Sequence, residues 1–298
     1  MTIRVNPNLY LESLTELSQT RQAEDTALEQ VSTGLRVNNP SDDPSAAAAN
    51  VGVQAQLANI DQYTTNVTSV SSQMQVANST LSSAVNLLNQ AITYGTQGGD
   101  SNLTQANRDT LATQIQSIQS ELVSLANTTY QGQYLFAGTA NTQPFQTNAN
   151  GTVSYVGNDG TNSAEISPGT KVQTSLPGSQ VFGTGTNNVF TALSQLSATL
   201  TSGGDVTTAM ANLTSAYNNV SNQQVFYGNA VSNLENTQTY LNNDKVELST
   251  QQNNLVGIDT ATAVSNLEQA ETTRQAALSA AGQIGQVSLL NYLPAPTA

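Results

Sequence analysis

Carboxylates are the only side chains in this sequence whose spacing invites acid–base or metal chemistry. Among its 298 residues there is no His and no Cys. Ser–His–acid and Cys–His nucleophiles, zinc held by imidazole or thiolate, and the HExxH arrangement are therefore excluded by composition. Two carboxylate pairs remain. Asp42-Asp43 sits in a proline-bounded turn, but a calcium or magnesium loop needs several more oxygen ligands at loop spacing, and the EF-hand pattern is absent. Capping of the helix that follows is the simpler reading. Asp244 and Glu247 lie one helical turn apart, a spacing that serves solvation or a neighbouring Lys245 as well as it serves glycosidase-like acid–base work. Gly34, Gly132, Gly138 and Gly169 form neither a dinucleotide fingerprint nor a phosphate loop. The expectation is a protein with no catalytic residues, no metal and no cofactor, which is not an enzyme.

What these residues lack in chemistry the composition supplies in neutral polar surface. Charged residues make up 9% of the chain, and Gln, Asn, Ser and Thr stand where charges usually do. Such surfaces can meet without the desolvation cost of buried charge. A formal charge of -13, from 20 acidic and 7 basic residues, repels phosphate backbones and anionic membranes alike. No run approaches the roughly 20 apolar residues needed to span a bilayer. The N-terminal residues carry no apolar core with a small-residue cleavage site, so export, if it occurs, is expected by a route that leaves the ends intact.

Periodicity organises the chain as helix, strand and turn, then helix. The first helix has inward candidates Tyr10, Leu14, Leu17, Leu28, Val31 and Leu35 on a heptad grid that Arg21 and Glu24 interrupt. An interrupted seam suggests a face that other chains complete. A corner follows at Gly34, Arg36, Asn38, Asp42, Asp43 and Pro44. Gly34 and Asn38 can adopt left-handed conformations, Pro40 disfavours helix before it, and Asp43-Pro44 reads as an N-cap and first helical position. Val53, Ile60, Val67, Met74, Leu81 and Leu88 then recur every seven residues, with Leu111, Ile115, Ile118, Leu122 and Leu125 on an antiparallel return.

Between about 134 and 200 the period shortens to β-prone runs ended by glycine or Pro-Gly. Phe145, Tyr155, Phe182 and Phe190 read as the core of this region ahead of a ligand platform. The return helix carries Leu213, Val220, Tyr227, Leu234, Leu241, Leu248 and Leu255 at an unbroken spacing of seven. Gly257 ends it, and Val264, Leu267, Leu278 and Ala281 line a last helix. The fold class is mainly α: a long antiparallel helical bundle with paired N- and C-terminal coiled-coil helices and an inserted small β domain. Its parts are 1–38 and 258–298 for the terminal pair, 39–133 and 205–257 for the bundle, and 134–204 for the outer β-rich domain.

The run from Val31 to Pro44 resembles the amino-terminal signature of bacterial flagellins and their relatives, and Asn266 to Leu293 resembles their carboxy-terminal block. Gly132 to Gly138, Pro144-Phe145, Tyr155-Val156-Gly157, Pro168-Gly169 and the ending Ser288 to Leu293 are similar to the hook-associated protein 3 family. That resemblance implies a secreted extracellular protein, exported through the flagellar type III channel and placed at the hook–filament junction. It implies a structural adaptor whose partners are copies of itself, the adjoining hook-associated protein, flagellin on the filament side and an export chaperone. It assigns the corner to fixing the junction between terminal helix and bundle, with Arg36 paired locally or left as a solvated charge. Val264, Leu267, Leu278, Ala281, Ile284 and Leu289 would face Tyr10, Leu14, Leu17, Leu28 and Val31 or neighbouring subunits. The alternatives are a filament flagellin and a secreted coiled-coil adhesin that uses its β region to grip a ligand.

Overall fold

The computed structural model describes residues 8–185 and 188–290, of which 8–10 and 284–290 by backbone only. Helices α1 (Asn8–Thr33), α2 (Pro44–Gly98) and α3 (Gln105–Ala126) come first. Six short strands follow: β1 (Thr129–Tyr130), β2 (Gln133–Tyr134), β3 (Phe145–Thr147), β4 (Val153–Tyr155), β5 (Ser163–Ser167) and β6 (Thr170–Gln173). Helices α4 (Gly178–Phe182), α5 (Val189–Ser202), α6 (Thr207–Val256) and α7 (Thr260–Leu290) complete the chain. Two compact units result, one of residues 60–244 and one of 1–59 with 245–298; α2 and α6 contribute to both.

In the unit of 60–244 the heptad rows are the core. Val67, Met74, Leu81 and Leu88 of α2 and Leu213, Val220, Tyr227, Leu234 and Leu241 of α6 are all buried, as a row repeating every seven residues must be to stay on one face. Thr68 donates from its hydroxyl to Gln238 Oε1 at 3.3 Å, tying α2 to α6. Gly95 lies where α5 and α6 meet α2, and a Cβ there would collide with Met210 and Leu196. The α3–α5 contact is partly polar: Gln105 Nε2 donates to the last carbonyls of α5, Leu200 at 3.1 Å and Thr201 at 2.9 Å. Such amides satisfy groups a helix end leaves open.

The strands form three separate two-stranded antiparallel hairpins, β1–β2, β3–β4 and β5–β6. Gln131 and Gly132, both at positive φ, make the turn of the first, a geometry whose twist suits a two-residue hairpin loop. The expected aromatic core is present. Phe145 lies 5.1–5.2 Å, centroid to centroid, from Tyr155, Phe182 and Phe190, and Asn127 clamps its backbone through Phe145 N–H to Oδ1 (3.0 Å) and Nδ2 to Phe145 O (2.9 Å).

One expectation needs correction. The segment read as strand and turn to about 200 contains α4 and the 14-residue α5. Phe190, Leu193, Leu196 and Leu200 bury one face of α5 at helical spacing, Asn188 caps its start by accepting from Phe190 and Thr191, and left-handed Gly203 ends it. The glycines at 183 and 185 masked this short helix among turn signals. Asn38 also departs from expectation, since Gln131 alone among described non-glycine residues has positive φ.

Tyr227 joins the core to the outer region: its hydroxyl accepts from Leu176 N–H at 3.0 Å. Burial pushes its pKa up to about 12 from an ordinary value of 10. The folded chain holds this proton between pH 10 and 12 while the unfolded chain releases it, so stability is full below pH 10 and falls as pH rises towards 12. Denaturant melts should show a loss on the order of 2 kcal/mol across that window, and Tyr227→Phe should flatten it; an equally steep loss in the variant would refute this assignment.

Candidate assembly site

The second unit is built from the chain's two ends and the corner. Gly34, at φ +70°, stops α1, and the chain then runs beside the end of α6. Arg36 N–H and Val37 N–H both donate to Val256 O, at 2.7 and 3.3 Å, and Ile258 N–H donates to Gly34 O at 3.1 Å. Leu35 and Gly257 pair as an antiparallel bridge. These bonds occupy carbonyls that the last turn of α6 would otherwise leave open. Val37, Ala46 and Val256 are buried together beneath them, with Ala47 and Leu255 alongside.

Arg36 and Asp43 are the electrostatic centre of the corner. The guanidinium donates to Leu255 O at 2.9 Å and reaches Asp43 Oδ2 at 3.3 Å. Asp43 Oδ1 accepts from Ala46 N–H at 3.0 Å, capping α2. A cation thus stands at the C-terminus of α6 and an anion at the N-terminus of α2, each the sign its helix end favours. Asp42 Oδ2 accepts from the backbone of Asn38 (3.1 Å) and Asn39 (2.8 Å), closing the turn. The bond from Ala46 N–H and then the nearby Arg36 hold the Asp43 carboxyl below its ordinary range. The sequence reading of the corner as a capped and defined turn agrees with this geometry.

From the corner α1 and α7 run antiparallel. Their facing rows are regular. In α1, Ser13, Leu17, Thr20, Glu24, Ala27 and Val31 are partly or fully buried, with Gln30 beside them; in α7 the partly or fully buried positions are Ala263, Leu267, Ala270, Arg274, Ala277 and Ala281. Spacings of four and three alternate in both, the signature of a two-stranded coiled coil. Glu24 and Arg274 form an ion pair across the seam.

This seam shares one of its two rows with the expected one. Leu17, Val31, Leu267 and Ala281 fall on it, but Leu14 and Leu28 of α1, Leu35 just beyond α1 and Val264 and Leu278 of α7 are exposed. Tyr10, Ile284 and Leu289 lie outside the residues whose side chains are described. One row of each helix approaches on small residues, Ser13, Thr20 and Ala27 against Ala263, Ala270 and Ala277, and further leucines and a valine occupy the flank. In heptad terms Leu14 and Leu28 hold one position and Val264 and Leu278 the matching one, which in an antiparallel pair share a face. The other flank is a groove of about 610 Å³ lined by Ala23, Ala27, Ala270 and neutral side chains such as Gln19, Gln22, Gln269 and Thr273. Sequence reasoning weighted the leucines as inward and missed the alternation of small residues, which was the available signal.

Among the described residues no group of three or more His, Cys, Asp or Glu could hold a metal, and no helix is long and apolar enough to cross a membrane. Asp244 and Glu247 lie on α6, half-buried and exposed respectively.

Two family models match the two helical ends that this architecture brings together: the bacterial flagellin N-terminal helical region over residues 5–141 and its C-terminal helical region over 210–293. The chain belongs to the bacterial flagellin superfamily. Within it, the chain is similar to flagellar hook-associated protein 3. It is 40% identical to that protein of Escherichia coli over 122 residues, 39% of this chain and 38% of the relative. It is 32% identical to that of Salmonella typhimurium over 162 residues, 54% of this chain and 50% of the relative. The chain thus spans half or less of the length of these curated relatives. The structure of hook-associated protein 3 from Legionella pneumophila shares the fold, with a TM-score of 0.61 at 15% identity over 68% of this chain and 98% of that one.

The corner yields a pH test with a defined sign. Because the Asp43 pKa is lower folded than unfolded, its contribution is present above the ordinary value of 3.8 and is lost as pH falls through the folded value. Asp43→Asn keeps the cap acceptor but removes the charge. It should melt less steeply with acidification below pH 4 than the parent, whereas Asp43→Ala should lower the melting temperature at neutral pH as well; identical acid profiles for parent and Asn variant would contradict the pairing.

Proposed function

We propose that this protein is a structural adaptor subunit that joins the bacterial flagellar hook to the flagellin filament, assembling through α1 and α7. The observation that carries the reading is the similarity to two hook-associated proteins 3, in a chain whose terminal pair carries an apolar flank of Leu14, Leu28, Val264 and Leu278 that is 43–55% exposed. Burying one such side chain is worth roughly 1.5–3 kcal/mol, so a row of them repeated in every subunit favours association strongly. The partners on this reading are copies of the same chain, the adjoining hook-associated protein and flagellin, with a chaperone before export. Delivery is through the flagellar export channel to the cell exterior, which suits a sequence without cysteine.

The mechanism is folding coupled to assembly. Each residue of a helix pair costs about 1–2 kcal/mol of backbone entropy to order, and an alanine-rich seam offsets only part of it. Neighbouring subunits supply the remaining burial on the leucine flank.

A strain lacking the gene should form hooks without filaments and release flagellin into the medium, as seen by electron microscopy. Filament-length polymers grown from the purified chain would instead favour a filament flagellin. Removing residues 1–35 should leave the circular dichroism of the bundle helical and abolish incorporation; normal junctions containing the truncated chain would refute assembly through the ends.

A further inference from the structure

The seam of the terminal pair is repetitive enough to zip in the wrong place. Ser13, Thr20 and Ala27 recur every seven residues in α1, as do Ala263, Ala270 and Ala277 in α7, so sliding α7 past α1 by one heptad replaces small by small in those layers and leaves discrimination to the layers of Leu17, Glu24 and Val31 and of Leu267, Arg274 and Ala281. Coiled coils with such seams rely on a polar seam residue to set their register. Glu24 and Arg274 are the only charged side chains on the two described rows. Glu24 is 19% exposed and Arg274 39%, and they pair with each other.

We propose that the Glu24–Arg274 pair is a specificity device that fixes the register in which α1 and α7 zip. A one-heptad slip moves Glu24 beside Leu267 or Ala281 and Arg274 beside Leu17 or Val31. Each charge then loses its partner beside an apolar residue, and the cost falls chiefly on Glu24, the less exposed of the two. Arg21 and Glu271, exposed on the leucine flank, lie off the seam and cannot replace them. The register matters because only one lets Arg36 N–H and Val37 N–H donate to Val256 O and so lets the corner cap α6. The pair therefore contributes selectivity at the expense of adhesion, the converse of the leucine flank.

This makes a prediction that a merely stabilising ion pair does not. The full-length chain has no cysteine, so nitroxides can be attached at Asp25→Cys and Gln275→Cys, both exposed positions beside the pair, and the distance between them read by double electron–electron resonance. The parent should give one narrow distance. Glu24→Leu with Arg274→Leu should retain or gain helicity and thermal stability yet add populations displaced by up to about 10 Å, the length of seven helical residues. Exchanging the charges, Glu24→Arg with Arg274→Glu, should restore a single narrow distance. A double-leucine chain with the parent's single distance, a charge-exchanged chain that stays heterogeneous, or a parent that is itself heterogeneous would each overturn the proposal. Circular dichroism of every variant separates a shift of register from loss of the helices.

Discussion

The ion pair between Arg36 and Asp43, with the backbone bonds around it, is the constraint on which the rest of the second unit depends. It joins segments far apart in sequence, since Arg36 also bonds Leu255, 219 residues away. Two helix ends of opposite polarity meet there, the open carbonyls of α6 and the open amides of α2. One guanidinium and one carboxylate answer both. Because the corner is built from both arms of the chain, α1 and α7 leave it side by side and have no choice but to run antiparallel. Pairing of the chain's ends is thus a consequence of how two long helices are capped.

The terminal pair then divides its labour among three surfaces. The seam uses small residues for close approach and a single ion pair for discrimination. One flank carries exposed leucines and valine, and the other is a groove lined by alanine and neutral amides. No single chain can cover both flanks of a two-helix pair. The groove is lined without a charged side chain, so a neighbouring copy can approach it without desolvating ions, which gives a physical role to the richness in Gln, Asn, Ser and Thr.

Much of this architecture was legible in the sequence, for reasons that differ from one element to the next. The rows from Val53 to Leu88 and from Leu213 to Leu255 were readable because a long buried stripe repeats without interruption. The corner was readable because Gly34, Pro40 and Asp43-Pro44 each have a narrow conformational repertoire. Helix α5 was hidden by its shortness and by the glycines before it. One row of the α1–α7 seam was misplaced because hydrophobicity ranks leucine above alanine, whereas a close two-helix contact accommodates the smaller side chain. Glu24 was noticed as an interruption of the stripe; its meaning required Arg274 across the seam, and spacing within one helix cannot reveal a partner in another.

The central claim is that the leucine flank of the terminal pair is covered by other subunits on assembly. Its most direct test is maleimide labelling of Leu28→Cys, in a chain that otherwise contains no thiol, compared between the free protein and intact flagella. The account predicts rapid labelling of the free chain and strong protection after assembly, while Glu121→Cys, an exposed control on α3, changes little by comparison. Equal labelling at position 28 in both states would contradict it.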